Sequence, residues 1–293
     1  MPLKSFKQFT ESGNAIKGLS RINQENVDAT LQDVYKKLLP VLKIKKGDTT
    51  LLGSTGKKLP GGSSGDVDLG IGLSAIMKAY NTTSFGDLAD VIVAKLEAKG
   101  LTVKDSRGLG IITVDWPIAN VDGNQEDQFV QLDMMFVDNL KYSSWAFYSP
   151  HEKDSKYKGV YRMKAMAMIL RHVDNKILEK LVEDGKDIPV KWQSHIIDLS
   201  RGVFKVVKDK TGKRGLLKKA KTIDKKFISN DPLDIVHIML GPDFTLADAD
   251  SFETLWKAIN SPKFIHKKNV SAIKSDIKQA MVEAGLPLDI NIK

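Results

Sequence analysis

The spacing of apolar residues in the first half of the chain switches repeatedly between helical and strand periods. Apolar residues recur every three or four positions across Asn26–Leu39, which predicts a helix that Pro40 ends or kinks. A second helix is predicted from the capping residue Ser84 to Lys99. Short alternating or apolar runs predict strands at Thr50–Leu52, Asp66–Leu73, Leu101–Lys104, Leu109–Trp116 and Phe129–Val137. The first half is therefore expected to be a mixed α/β unit with a sheet of about four strands.

After Pro150 the pattern becomes mainly helical. Helices are predicted at Tyr161–Val173, Lys176–Glu183, Ile196–Val207, Pro232–Leu240, Ser251–Ile259 and Val270–Ala284. Residues 203–217 are also compatible with a basic hairpin. The change near residues 148–156 predicts an α+β protein: an N-terminal segment at 1–22, a domain with a mixed sheet and flanking helices at 23–148, and a helical domain at 149–293.

Positive charge is concentrated in one segment. The chain has 293 residues and a net charge of +9, and residues 201–226 contain 11 Lys and Arg against 2 acidic residues. Concentrated positive charge attracts nucleic-acid backbones, although a solvated lysine-rich loop has the same composition. The predicted nucleic-acid contacts are Lys208, Lys210, Lys213, Arg214, Lys218 and Lys219. The segment has few aromatic residues beyond Phe204 and Phe227, so contacts with phosphates are favoured over stacking on bases.

The composition excludes several classes of site. The chain has no cysteine, which rules out a disulfide framework, a thiolate nucleophile and a Cys-ligated zinc, and which suits the reducing cytoplasm. No apolar run approaches the ~20 residues that span a bilayer, so no membrane partner is expected. The five histidines lack metal-ligand spacing, and Trp145, Trp192 and Trp256 are predicted to be core residues.

Three acidic residues lie on two of the predicted strands. Asp66 and Asp68 are two positions apart, so both project from the same face of their strand, and Asp133 stands in the middle of a later strand. If those strands are neighbours, three carboxylates meet, and such a cluster needs a cation to relieve its repulsion. Oxygen ligands of this kind suit Mg²⁺ or Mn²⁺. We predict Asp66, Asp68 and Asp133 as both metal ligands and catalytic residues, with two ions.

A Gly-Ser pair precedes the acidic strand. Gly53 and Ser54 follow a predicted strand, twelve residues before Asp66. Gly53 allows a phosphate to approach the backbone closely, and Ser54 offers N–H and hydroxyl donors to it. The neighbouring Lys57 makes the segment similar to a Walker A loop, but that motif would need Gly at 51 and Ser or Thr at 58, where the chain has Leu51 and Lys58.

With these residues in place, the chain resembles the DNA polymerase β-like nucleotidyltransferase superfamily over about residues 25–140. The resemblance rests on Leu52-Gly53-Ser54, Gly65-Asp66-Val67-Asp68-Leu69 and Leu132-Asp133-Met134. It implies that residues 23–148 are a catalytic domain that transfers a nucleoside monophosphate from an NTP to an acceptor hydroxyl. Pro60-Gly61-Gly62 departs from the superfamily pattern because it shortens the helix that usually begins at Gly-Ser.

The resemblance also implies a nucleotide clamp in the second domain. Members with a helical second domain commonly hold the triphosphate and base with Lys, Arg, Ser and Tyr residues. By this analogy the nucleotide-binding residues are Lys156, Lys158, Tyr161 and Arg162, with the NTP and two Mg²⁺ ions between the domains. An ordinary basic helix start with its tyrosines packed inside would have the same sequence.

Three functions remain open from the sequence. The basic segment favours an RNA 3′ end as the acceptor. A cyclic-oligonucleotide synthase or another small-acceptor enzyme would use the same chemistry, and a non-catalytic nucleic-acid-binding or virion protein would keep the fold alone. Residues 5–11 resemble the leaders of tailed-bacteriophage proteins, which raises a viral origin and an association with the virion.

Overall fold

The computed structural model describes residues 15–183, 186–211 and 217–288. The chain divides into two compact units, Met1–Gly159 and Val160–Lys293. The fold is α+β, as predicted, with a mixed sheet and flanking helices in the first unit and further helices in the second. The leader-like residues 5–11 and the predicted contacts Lys213 and Arg214 lie outside the described residues.

Over its described residues, 15–159, the first unit contains seven strands and four α-helices, and a fifth helix begins at its last residue. The strands are β1 (Ile22–Asn23), β2 (Thr49–Leu51), β3 (Ser63–Ser64), β4 (Asp66–Gly72), β5 (Val103–Ser106), β6 (Ile111–Pro117) and β7 (Phe129–Val137). The helices are α1 (Gln24–Asp33), α2 (Leu73–Ala79), α3 (Phe85–Glu97) and α4 (Leu140–Ala146). A π-helical turn, Val34–Leu38, extends α1, so the predicted helix at 26–39 is confirmed.

Five strands form the main sheet, one more than expected, in the order β2-β4-β7-β6-β5. Only β4 and β7 pair in parallel, and the other pairs are antiparallel. Every second residue of β4 and β7 is apolar and buried, including Val67, Leu69, Leu132 and Met134. These residues pack in one core with apolar residues of α1 and α3, so the alternate residues of both strands face away from that core.

The start of α1 is tied to the loop before β7 by a polar network. The buried Asn26 side chain donates to Asp122 and Gln125 at 2.9 and 3.0 Å, and its oxygen accepts from the backbone N–H of Val121 at 2.8 Å. Asn23 donates to the other Asp122 oxygen at 2.8 Å. The backbone N–H of Asn124 also donates to Asp122, at 3.0 Å. This bond has the largest effect on the pKa of Asp122, and together with those from Asn23 and Asn26 it lowers that pKa to about 2.

The second unit combines helices with a four-stranded antiparallel sheet in the order β11-β10-β9-β8. The strands are β8 (Lys176–Glu183), β9 (Lys186–Asp198), β10 (Gly202–Thr211) and β11 (Leu217–Ser229). The helices are α5 (Gly159–His172), α6 (Pro232–Met239), α7 (Phe252–Ile259) and α8 (Val270–Glu283). Within the described residues, no helix has the length and apolar character that a bilayer span requires.

Two predicted helices of this unit are wrong, and the alternative hairpin is confirmed. Residues 176–183 form strand β8, and residues 196–207 belong to β9 and β10. In β8 the apolar residues Ile177, Leu178, Leu181 and Val182 fit a helical stripe, but the backbone hydrogen-bonds to β9. The spacing of apolar residues is a local pattern and cannot predict pairing with a distant strand. Here the pairing of β8 with β9 decided the structure.

Candidate metal and nucleotide site

The three predicted carboxylates lie together on the face of the main sheet opposite its core. In the parallel pair of β4 and β7, Asp68 is opposite Asp133 and Asp66 is opposite Gln131. Carboxylate oxygens of Asp66, Asp68 and Asp133 all lie within 4.8 Å of one another. Asp66 is only 8% exposed, and the other two are half-buried. The register therefore brings together residues that are 67 positions apart.

The electrostatics of this cluster call for a cation. Burial raises the pKa of Asp68 well above its ordinary value, and the charges of Asp66 and Asp133 raise it further. Burial also raises the pKa of Asp133, against the lowering effects of its hydrogen bonds and of Lys104. Three carboxylates so close together cannot all remain ionised without a compensating positive charge.

The donor set fits a hard divalent cation. All three side chains offer oxygen, the ligand atom that Mg²⁺ and Mn²⁺ prefer, and among the residues that the structure describes no nitrogen or sulfur ligand joins them. The spacing of 4.8 Å or less allows ions to be shared between side chains. Asp66, Asp68 and Asp133 are thus the residues that would hold Mg²⁺.

Asp133 is held by two residues that the sequence analysis did not identify. Thr113 lies opposite Asp133 on β6, and its hydroxyl donates to Asp133 Oδ1 at 2.6 Å. Gln131, two residues earlier on the same face of β7, donates to both carboxylate oxygens at 3.1 and 2.9 Å. Its own oxygen accepts from the backbone N–H of Ala15 at 2.8 Å. The i−2 spacing of Gln131 was a usable sequence signal, whereas Thr113 required the register between strands.

Gly53 packs directly against the carboxylates. It has a φ of +65°, and an added Cβ would collide with Oδ2 of Asp68. The preceding Leu52 N–H donates to the Asp68 carbonyl at 2.9 Å, and the Gly53 N–H donates to the Phe147 carbonyl at 3.2 Å. The backbone at position 53 therefore lies too close to the acidic cluster for any residue with a Cβ, which explains why this position is a glycine.

The segment after Gly53 is a turn and not a helix. Ser54 is half-buried, and its carbonyl accepts from the Lys57 N–H at 3.2 Å. The buried Thr55 hydroxyl donates to the Asp66 carbonyl at 2.9 Å, which fastens the turn to the start of β4. The Lys57 ammonium donates to the Ser149 carbonyl at 2.7 Å and lies 4.2 Å from the centre of the Tyr148 ring. These contacts fix the turn beside the carboxylates.

The four residues of the expected clamp differ in exposure. Lys156 and Lys158 are exposed. Tyr161 is buried, and its hydroxyl donates to the Pro287 carbonyl at 2.9 Å. Arg162 is 0% exposed and donates through Nε to the Ala249 carbonyl. In this conformation Tyr161 and Arg162 contribute to the packing of the second unit, and only the two lysines present a surface to a ligand.

The basic segment forms the β10–β11 hairpin. Lys208 and Lys210 are half-buried on β10, and Lys208 lies opposite Trp192 of β9. The side chains at 218 and 219 lie outside the described residues. Trp192 was predicted to be a core residue, but it is only half-buried. The Lys210 ammonium lies 5.4 Å from the centre of its ring.

Comparison with known proteins gives only remote likenesses. No protein-family model and no curated protein matches the chain. Among solved structures, the Cid1 poly(U) polymerase bound to MgGTP is 18% identical with a TM-score of 0.29, and covers 63% of this chain and 64% of its own.

Two other matches are similarly distant. The structure of Cid1 that concerns its RNA terminal uridylyl transferase activity is 16% identical with a TM-score of 0.28, covering 62% of this chain and 60% of its own. A cytoplasmic RNA terminal U-transferase is 17% identical with a TM-score of 0.25, covering 62% of both chains. In each case the match spans less than two thirds of the other protein.

Proposed function

We propose that this protein is a metal-dependent nucleotidyltransferase that transfers a nucleoside monophosphate from an NTP to the 3′ hydroxyl of an RNA. The observation that supports this most is the meeting of Asp66, Asp68 and Asp133 within 4.8 Å, with the Gly53 backbone against Asp68. Three buried or half-buried acids repel one another and lower the stability of the fold. A purely structural role would not offset this cost, whereas an enzyme needs such a cluster to bind cations.

The chemistry is a displacement at the α-phosphorus of the NTP. The acceptor oxygen loses its proton and forms a bond to that phosphorus, while the bond from phosphorus to the bridging oxygen of the pyrophosphate breaks. Two Mg²⁺ ions, when bound, would activate the acceptor hydroxyl and neutralise the leaving pyrophosphate. Asp66 and Asp68 would hold both ions, and Asp133 would complete the ligands on the acceptor side and help to take the proton.

The phosphate end of the NTP is assigned to the turn at Gly53 and Ser54. The absence of a Cβ at Gly53 lets this turn lie against the Asp68 carboxylate, and Ser54 follows in the same turn, so its hydroxyl is assigned to the phosphates. Lys156 and Lys158 are the exposed cations assigned to the triphosphate. Thr113 and Gln131 hold the Asp133 carboxylate in place through three hydrogen bonds, so the acceptor meets a preorganised group.

RNA is proposed as the acceptor because the positive charge of the chain is concentrated in one segment. Residues 201–226 account for the whole net charge of +9. Lys208 and Lys210 of that segment, together with Lys213, Arg214, Lys218 and Lys219, are assigned to the RNA backbone. A small acceptor would not require such an extended basic surface.

The test is to incubate the full chain with each radiolabelled NTP, Mn²⁺ or Mg²⁺, and RNA. We expect labelled RNA extended at its 3′ end, and loss of at least 100-fold in rate for Asp68→Asn, a change of the order seen when one group that stabilises the transition state is removed. Asp115→Asn is the matched control, since Asp115 is a half-buried acid on the same sheet that instead accepts from the Thr102 N–H at 2.7 Å.

The outcomes separate the remaining alternatives. Products formed from NTPs alone, without RNA, would identify a cyclic-oligonucleotide or small-acceptor enzyme. If no NTP is consumed with either metal across varied acceptors, the enzyme proposal fails and a non-catalytic nucleic-acid-binding protein is left. Equal activity of Asp68→Asn and Asp115→Asn would show that the acidic cluster has no catalytic role.

A further inference from the structure

One face of the second sheet carries aromatic rings and lysines on three neighbouring strands. Along β10, residues 204, 206, 208 and 210 share that face. Phe227 of β11 lies opposite Phe204, Lys225 of β11 lies opposite position 206, and Trp192 of β9 lies opposite Lys208. The register thus places a pair of phenylalanines, a lysine beside the buried Val206, and a tryptophan beside a lysine in successive rows, with Lys210 at the end.

The contacts confirm that these side chains meet. The rings of Phe204 and Phe227 are 5.5 Å apart and nearly perpendicular, at 73°. The Lys225 ammonium lies 3.8 Å from the centre of the Phe204 ring, and the Lys210 ammonium lies 5.4 Å from that of Trp192. Phe227 is nevertheless 49% exposed, so one aromatic surface of the row is open to solvent.

The charges on this face are predominantly positive. Burial lowers the pKa of Lys208, and the positive charge of Arg171 lowers it further. Among the described side chains of this face, the acidic Asp198 is paired with Arg201 and with Lys225, the latter at 3.8 Å. Two cations therefore face the Asp198 carboxylate, and the excess positive charge attracts anions to this surface.

We propose that this face of the second sheet binds single-stranded RNA, with one base stacked on Phe227 and the backbone phosphates along Lys225, Lys208 and Lys210. Positions two apart on a strand are ~6.6 Å apart, a spacing comparable with that of phosphates in an extended single strand. A duplex keeps its base faces covered, so an exposed ring among lysines is suited to unpaired bases. The proposal deepens the proposed function by naming where the acceptor RNA binds.

The experiment measures binding of a labelled single-stranded RNA of about 12 nucleotides, within the site sizes of single-strand-binding proteins. The full chain carries Asp68→Asn throughout, so that no transfer occurs. We expect Phe227→Ala and Phe227→Leu to weaken binding roughly 5- to 100-fold, as removal of one stacked base would, while Phe227→Tyr binds like the parent. Val282→Ala, which removes an apolar side chain 76% exposed on helix α8, should leave affinity unchanged.

Salt dependence separates stacking from charge. We expect Lys210→Gln to reduce the slope of log affinity against log salt by about one, and Phe227→Leu to leave that slope unchanged. Phe227→Leu should also leave the binding of inorganic polyphosphate unchanged, because polyphosphate has no base to stack. Equal RNA affinity for Phe227→Leu and Phe227→Tyr, or an equal loss of RNA and polyphosphate binding in Phe227→Leu, would overturn the proposal.

The two proposals can fail independently. Should Phe227→Ala not fold, the comparison of Leu with Tyr at this position still decides. RNA binding that depends on the ring at 227, in a parent protein that consumes no NTP, would support this inference and remove the proposed function. If the protein transfers nucleotides to RNA but Phe227→Leu leaves RNA affinity unchanged, the proposed function is supported and this inference fails.

Discussion

Asp68 and Asp133 occupy partner positions on two parallel strands, so their carboxylates meet on the face of the sheet away from its core. Parallel pairing places the two residues side by side although 64 residues of chain separate them. The Gly53 backbone packs against the Asp68 carboxylate, and the Thr113 hydroxyl donates a hydrogen bond to the Asp133 carboxylate. Four predictions follow from these contacts and from the network at α1.

Replacing Gly53 by alanine should damage both stability and metal binding. The φ of +65° costs about 1 kcal/mol for a residue with a Cβ, and the Cβ would also displace the Asp68 carboxylate. Gly61→Ala is the matched control, because Gly61 has a φ of +79° in the same loop but nothing within 4 Å of its added Cβ. Calorimetric titration with Mn²⁺ should show weaker binding in Gly53→Ala alone. Equal affinities in the two variants would contradict the contact.

Asp68→Asn should raise the stability of the metal-free protein while it removes stabilisation by metal. Removing one of three clustered charges relieves repulsion, and a shift of one pKa unit corresponds to about 1.4 kcal/mol. We expect a midpoint of thermal unfolding at neutral pH a few degrees higher than that of the parent in EDTA. In Mn²⁺ the parent should gain stability and the variant should not. Asp115→Asn should behave like the parent in both conditions.

Thr113→Val should impair function more than it impairs folding. Valine keeps the shape of the buried threonine but cannot donate to Asp133, so the carboxylate loses its 2.6 Å hydrogen bond. Loss of such a supporting contact typically costs 10- to 100-fold in metal affinity or activity. Thr113→Ser keeps the hydroxyl and should retain most of the activity. The measurements are the Mn²⁺ dissociation constant and the rate of nucleotide transfer, and a serine variant as weak as valine would argue against the hydrogen bond.

The network at the start of α1 should give an acid-sensitive contribution to stability. The folded pKa of Asp122, about 2, lies below the ordinary value of about 3.9. Its stabilisation is therefore fully present above about pH 4 and is lost as the pH falls toward 2. Urea unfolding of the parent and of Asp122→Asn should differ at pH 6, and the difference should shrink between pH 4 and pH 2.5. A difference that stays constant over this range would exclude the charged form of Asp122 as its cause.

Much of the first unit was predictable because its local patterns are unambiguous. The strand at Phe129–Val137 was predicted with its observed bounds, and the cap at Ser84 accepts from the Asp87 N–H as expected. The second unit was harder. Residues 176–183 fit a helical stripe as well as a strand, and only hydrogen bonding to β9 decided between them.

The sequence by itself determined which face of each strand the acidic residues occupy, since alternation with buried Val67 and Leu132 leaves no other choice. It also determined that a glycine precedes them in a tight turn. Only the tertiary structure decided that β4 pairs with β7 in the register that joins Asp68 to Asp133, and that Thr113 supports the pair. The physical reason is that side-chain periodicity is a local property, whereas strand partners are selected by hydrogen bonds and packing between segments far apart in the chain.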